Sequence, residues 1–261
     1  MIDIIIPAYN CSKTIRRTLS SLVAQTDNDF NVIIVDDCST EDFKPIVDDF
    51  DSLLNIQYIR NENNVGPGYS RQVGMDNSSS KFVAFLDADD MLMPYAVETF
   101  NTAIKANPNI EFLQTYFYEQ LYLDGIASLV LHKDNYTACH GKLYNMEVIR
   151  KYGIAFVPEV RWSEDAFFNS MCTELMKVSI LKVPTMIWTF NQGSLLRSVN
   201  EDRDKNRVKY FVQAMKLSAA FVKKYKPNIS HLETSIENVF KNYNLSEDEK
   251  NELNKLLEGG L

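Results

Sequence analysis

The sequence predicts an α/β domain on an open, mostly parallel sheet flanked by helices. Three observations carry this prediction. Short apolar, β-branched runs alternate with helix-periodic segments four times in the first hundred residues. The runs lead into polar segments that suit loops, among them Pro7-Ala8-Tyr9-Asn10, Asp36-Asp37-Cys38-Ser39 and Asp87-Ala88-Asp89-Asp90. The chain has 261 residues, 45% hydrophobic and 24% charged, which is enough apolar material for a sizeable core. Parallel strands in this order require right-handed crossovers.

Ile2–Ile6 reads as a buried strand ended by Pro7, and Ser12 as the cap of a helix whose Ile15, Leu19, Leu22 and Val23 share one face. Val32–Val35 is the second strand, with a helix expected to start at Thr40-Glu41. Ile56–Ile59 is the third strand, and Gly66 to Asp76 runs from loop into helix. Phe82–Leu86 is the fourth strand, and Pro94 suits the first turn of a helix lined by Val97, Phe100 and Ile104.

Farther on, Phe112–Tyr118 and Leu121–Leu131 flank Asp124-Gly125, the pattern of a hairpin or meander. Asn145–Tyr152 and Ser163–Thr173 read as helices, and Val178–Phe190 contains a strand. Val208, Phe211, Val212, Met215, Ala219 and Val222 form one helical stripe, broken by Pro227. Two polar helices are expected after it, Leu232–Lys241 and Ser246–Leu257. The pattern divides the chain near residue 200 into a main domain, 1–200, and a C-terminal helical accessory segment, 201–261.

A net charge of −8 argues against nucleic-acid binding, which needs a basic surface. Cys11, Cys38, Cys139 and Cys172 form no CxxC pair, so free thiols in a reducing compartment are expected. MIDIIIPAYN lacks the basic start of a signal peptide, and no apolar stretch reaches membrane-spanning length. A cytoplasmic protein is expected. Peripheral membrane contact or homo-oligomer contact through the C-terminal helices is left open.

Ligands of open parallel sheets bind beyond the carboxyl ends of the strands. Acids gathered at one such rim repel unless cations compensate. A divalent ion carrying a phosphorylated ligand does so, and carboxylate with phosphate suits Mn2+ or Mg2+.

Five segments, in this order, then carry a specific resemblance: IDIIIPAYN, VIIVDDCSTED, NNVGPGYSRQVG, FVAFLDADD and HGKLYNMEVIRKYGIAFVPEVRWSEDAFF. Over roughly residues 1–197 the chain resembles a family 2 glycosyltransferase. The resemblance implies the GT-A fold, with a Rossmann-like sheet, and inverting transfer of one sugar from a UDP-sugar to a carbohydrate or glycolipid acceptor.

Residue by residue, it implies that Pro7, Ala8 and Tyr9 form the wall for the nucleotide base and that Asp36 accepts the base N–H. Asp87 contacts the ribose beside Ala88, and Asp89 binds the metal. Arg71 reaches the diphosphate or sugar rim, and Asp165 is the general base. Asp90 and Glu164 are expected as supporting or sugar-contacting groups. Trp162 is a sugar-stacking candidate, and His140, just before Gly141-Lys142, a candidate acceptor contact.

The sequence departs from the family pattern in two places. Trp188 to Ser194 holds no histidine to serve as third metal ligand, though Asn191 or Gln192 could contact the diphosphate. Gln192 to Arg197 is not the Gln-x-x-Arg-Trp motif of processive relatives, which favours a single-sugar enzyme. Plainer readings stand beside these. Asp36-Asp37 suits a turn or helix cap, Arg71 a surface ion pair, and Glu164-Asp165 an answer to a helix dipole. Two alternatives remain: a nucleotidyltransferase, disfavoured because no Gly-rich basic loop follows the first strand, and an inactive nucleotide-sugar-binding module.

Overall fold

The computed structural model describes residues 1–123, 126–133, 137–189 and 201–226, with single helical residues at 247 and 251. At its centre β1 (Ile2–Ala8) lies parallel between β2 (Phe30–Asp36) and β4 (Phe82–Phe85), and β3 (Ile56–Arg60) extends the sheet beyond β2. Alternate residues of β1 enter opposite cores. Ile4 and Ile6 pack with α1 (Ile15–Val23), α2 (Lys44–Asp48) and α4 (Ala96–Ala106). Ile5 packs with α3 (Pro67–Asp76), α5 (Met146–Tyr152), α6 (Glu164–Leu175) and α7 (Glu201–Val222). Burial on both faces explains why these strands read as unbroken apolar runs.

Beyond β4 the sheet becomes mixed. β8 (Lys142–Asn145) runs antiparallel to β4 and to β6 (Phe112–Leu123); β9 (Val178–Trp188) runs parallel to β6, and β5 (Met91–Leu92) antiparallel to β9. β7 (Ile126–His132) pairs antiparallel with β6, which forms the expected hairpin. The sheet order is β3-β2-β1-β4-β8-β6-β9-β5.

Several boundaries differ from expectation, each for a local reason. β1 continues through Pro7, which lies beyond the last residue paired with β4, so its missing N–H leaves a strand with one open side. Thr14, not Ser12, precedes α1; the Ser12 N–H donates to Glu41 Oε1 at 2.7 Å. Thr40 lies ahead of α2, its N–H held by Asn10 Oδ1 at 2.8 Å. Pro94 precedes Tyr95, the N-cap of α4, and its carbonyl accepts from the Thr26 N–H.

The C-terminal stripe packs as predicted. Met215, Ala219 and Val222 are buried in the second core, Val212 is buried as well, and Ser218 Oγ donates to the Phe167 carbonyl at 3.0 Å. Lys226 Nζ lies 2.9 Å from Glu174 Oε2. The expected helices Leu232–Lys241 and Ser246–Leu257, the boundary near residue 200, and the Asn191, Gln192 and Arg197 positions lie outside the described residues. Among the described residues, no helix is long and apolar enough to cross a membrane.

Candidate active site

The ends of β1, β2 and β4 meet at one rim because the parallel register sets Ala8 beside Asp36 and Ile5 beside Phe85. Tyr9 leaves β1 with its side chain 47% exposed, so a ring face is open. Asn10 follows in a left-handed conformation, and its side chain accepts from Thr40, tying the first loop to the second.

Asp36 is buried. Its Oδ1 accepts from the Ser39 N–H at 2.9 Å; its Oδ2 accepts from Tyr58 Oη at 2.8 Å and from the Arg60 guanidinium. One lone pair of Oδ1 remains for a ligand donor. Arg60 reaches Asp36 because the β2–β3 register places the two residues side by side. Asp37 turns the other way. It accepts from the Val65 N–H at 2.9 Å and the Gly66 N–H at 2.7 Å, and so fixes the start of α3. Gly66 sits there at φ +89°, where a side chain would be strained.

From α3, Arg71 points into the protein rather than to an open rim. Its Nη2 donates to Asp87 Oδ1 at 2.7 Å and its Nη1 to Glu164 Oε1 at 3.2 Å, with the guanidinium 5.9 Å from the centre of the Phe156 ring. Burial raises the Asp87 carboxyl, but the Arg71 charge and then His140 outweigh it and hold it well below the usual range. Gly68, one turn earlier, gives Glu164 its room: a Cβ there would lie 2.5 Å from Glu164 Cγ.

The loop after β4 is held by its main chain. Thr18 Oγ1 donates to the carbonyl of buried Ala88 at 3.0 Å; Arg17 Nη2 donates to the Asp89 carbonyl at 2.6 Å, and Thr189 Oγ1 donates to it as well. This leaves the Asp89 side chain partly exposed. Asp90 is fully buried, with Oδ1 accepting from the Thr189 N–H at 2.8 Å and Oδ2 without a hydrogen-bond partner. His140 Nε2 stands 3.7 Å from that oxygen and 3.8 Å from Asp87 Oδ2, and its ring packs between Phe117 and Trp188. Burial, then the charges of Asp87 and Asp89, pushes the Asp90 carboxyl well up. Asp87, Asp90 and His140 bring ligand atoms within 4.8 Å of one another. Together with the unpartnered Asp90 oxygen, two carboxylates and an imidazole fit a divalent ion, Mn2+ better than Mg2+.

Opposite this loop, Ser163 adopts a left-handed conformation and α6 begins with Glu164 and Asp165. Trp162 is partly buried just ahead of it. Burial, then the neighbouring Asp165 charge, pushes the Glu164 carboxyl up to about 7. Burial pushes the Cys139 thiol up to about 11, and burial, then the Glu41 and Asp36 charges, pushes the Cys11 thiol up to about 12. Among the predicted residues, Arg71 joins Asp87 to Glu164, the neighbour of Asp165, and His140 stands near Asp87 and Asp90. Arg60, Arg17 and Thr189 were missed, because their links depend on strand register and on the distant end of β9.

The profile of Glycosyl transferase family 2 matches residues 3–153, and the chain belongs to that family. The chain is 42% identical over 113 residues to an uncharacterized glycosyltransferase of Haemophilus influenzae, covering 43% of this chain and 37% of the relative. It is 28% identical over 182 residues to the poly(ribitol-phosphate) beta-N-acetylglucosaminyltransferase TarS of Staphylococcus aureus, covering 64% of this chain and 31% of that protein. It thus spans about a third of the length of these relatives. The structure of S. aureus TarS 1–349 in complex with UDP-GlcNAc superposes with a TM-score of 0.79 at 21% identity, covering 99% of this chain and 80% of that one. Mannosyltransferase PcManGT from Pyrobaculum calidifontis, in complex with GDP-Man and Mn2+, gives 0.60 at 13% identity, covering 99% and 79%. The fold is GT-A, with its sheet turning mixed beyond β4.

Proposed function

We propose that the chain is an inverting, metal-dependent glycosyltransferase that moves a single sugar from a UDP-sugar to an acceptor hydroxyl in glycan or surface-polymer assembly. The observation that carries this reading is the two ion pairs made by Arg71. One buried guanidinium joins Asp87 to Glu164 in the first turn of α6, the turn that carries Asp165, which supports a site shared by the donor-side acids and Asp165. TarS, captured with UDP-GlcNAc, supports a UDP-sugar as donor.

Pro7, Ala8 and Tyr9 form the wall for the uracil, with the Tyr9 ring stacking on it. Asp36 accepts the base N–H through the open lone pair of Oδ1. Asp87, held ionised by Arg71, accepts from the ribose hydroxyls, with Ala88 close beneath. Asp89, with His140 and Asp90 beside it, would hold Mn2+ or Mg2+. The ion supplies Lewis-acid neutralisation of the leaving diphosphate.

Asp165 takes the acceptor proton from within about 3 Å as the oxygen attacks. Attack opposite the leaving group inverts the anomeric centre. Trp162 is the side chain proposed to stack on a sugar ring. Residues 1–200 form the catalytic unit and 201–261 an accessory segment, with α7 seated on α6. The reading is tested by UDP release across a panel of UDP-sugars with Mn2+ and acceptor glycans. Turnover with at least one UDP-sugar is expected. Stabilisation by UTP far above that by UDP, without any UDP release, would favour a nucleotidyltransferase instead.

A further inference from the structure

Beneath the first turn of α6 lies a polar cluster with no part in the chemistry above. Lys142, Tyr144 and Asn169 are all buried, in a region otherwise filled by Phe112, Phe168 and Met171. Lys142 Nζ donates to the Ala138 carbonyl at 2.6 Å and to Asn169 Oδ1 at 3.1 Å. Tyr144 Oη donates to the same Oδ1 at 2.8 Å. On its other side Asn169 Nδ2 donates to the Thr137 carbonyl at 2.8 Å and to the Asp165 carbonyl at 2.9 Å.

The Asn169 amide therefore uses all four of its hydrogen-bonding positions. Two donors converge on its oxygen and two carbonyls on its nitrogen, so a flipped amide would set like against like. The side chain has one permitted orientation. It crosslinks three parts of the chain: strand β8, the 137–139 segment leading to His140, and the main chain of Asp165. Burying an ammonium and an amide is unfavourable before their bonds are counted, and an apolar filling would hold α6 on the sheet without that cost. A fully satisfied polar network adds a defined geometry.

We propose that Lys142 and Asn169 are positioning residues that fix the main chain of Asp165, and with it the direction of its carboxylate toward the acceptor. The proposal rests on the reading of Asp165 as the base. Moving the amide moves the Asp165 carbonyl and the 137–139 segment together, so the base and the wall beside His140 keep their relative placement.

The test is a set of variants of the full chain, assayed by UDP release below each variant's melting temperature. Lys142→Met keeps the stem and deletes the ammonium. Asn169→Asp keeps the acceptor for Lys142 and Tyr144, but sets a carboxylate oxygen against the Thr137 and Asp165 carbonyls. Expected is a fall in kcat of about 20-fold for each, with KM for the UDP-sugar within about twofold of wild type. The melting temperature of each variant is recorded alongside, and a kcat loss that does not scale with the loss of stability is expected.

In an Asp165→Asn background, Lys142→Met should cause no further loss beyond about twofold, because it acts through a group already removed. If Lys142→Met does not fold, Asn169→Asp and the milder Tyr144→Phe, expected about threefold down in kcat, carry the test. Wild-type kcat in the folded variants, or an undiminished extra loss in the Asp165→Asn background, overturns the positioning role alone. Wild-type turnover in Asp165→Asn by itself overturns the base assignment and the positioning claim together.

Discussion

Arg71 and Glu164 lie 93 residues apart in sequence, and their side chains meet at 3.2 Å while Arg71 also holds Asp87 at 2.7 Å. A planar guanidinium can hold two carboxylates at once, and an ammonium on a flexible stem cannot match that reach. Arg71→Met leaves Asp87 and Glu164 facing each other without a cation. The expected loss is about 2–3 kcal/mol in urea unfolding, below the range for wholly enclosed pairs because Asp87 is partly exposed. Arg71→Lys restores charge without the fork and should release UDP about tenfold more slowly than wild type. A stability change below about 1 kcal/mol in Arg71→Met would show that the pair is solvated and does not bind the two halves of the site together.

Glu164 gives the fold a pH dependence of definite sign. Its ordinary value is 4.5, and burial followed by the Asp165 charge raises it to about 7 in the folded protein. Between those values the native state holds a proton that the unfolded chain has released, so stability falls as pH rises through this window. Glu164→Gln cannot titrate. Its stability relative to wild type should therefore be lowest at pH 4–5 and improve steadily toward pH 8, followed as the difference in melting temperature at each pH. A difference that stays flat across that range would place the Glu164 titration elsewhere.

Much of this arrangement was legible in the sequence, for physical reasons. The β1, β2 and β4 strands are buried on both faces, so their apolar runs are unmistakable, and the acids that follow must lie at one rim. What was not legible depends on register or on distant chain. β8 is a four-residue strand, Lys-Leu-Tyr-Asn, with two polar side chains turned into a buried network, so it shows no strand pattern. Arg71 reads as a surface residue until α6 closes over it. Arg17 and Thr189 meet at the Asp89 carbonyl only because β9 returns beside β5.

The divalent ion proposed for this site can be tested through its ligands. Asp89 extends from a loop whose carbonyls are already tied down, while Asp87, Asp90 and His140 cluster beside it. In a thermal-shift titration, wild-type protein should gain more stability from UDP with Mn2+ than from UDP alone, by ordinary linkage. Asp89→Ala should lose that metal-dependent increment. His140→Ala should weaken the Mn2+ increment more than the Mg2+ one, because imidazole suits Mn2+ better. Equal UDP stabilisation with and without metal, in wild type and in Asp89→Ala alike, would remove the ion from the mechanism.

The approach of α3 to α6 yields the last prediction. A Cβ on Gly68 would lie 2.5 Å from Glu164 Cγ, 2.8 Å from Glu164 Cβ and 3.4 Å from the Phe156 ring. The Glu164 Cβ is fixed to the helix backbone, so rotating the carboxylate away cannot relieve the contact, and the first turn of α6 has to move. That turn carries Asp165. Gly68→Ala should therefore cost about 1–3 kcal/mol by overpacking, offset in part by the lower chain entropy of alanine in a helix. It should also lower kcat by about tenfold or more while UDP affinity stays near wild type, because Tyr9, Asp36 and Asp87 lie on other elements. Thermal unfolding, UDP titration and UDP-release kinetics on the one variant separate these effects. Loss of UDP binding in step with activity would mean that the strain spreads through Arg71 to Asp87 and is not confined to the start of α6.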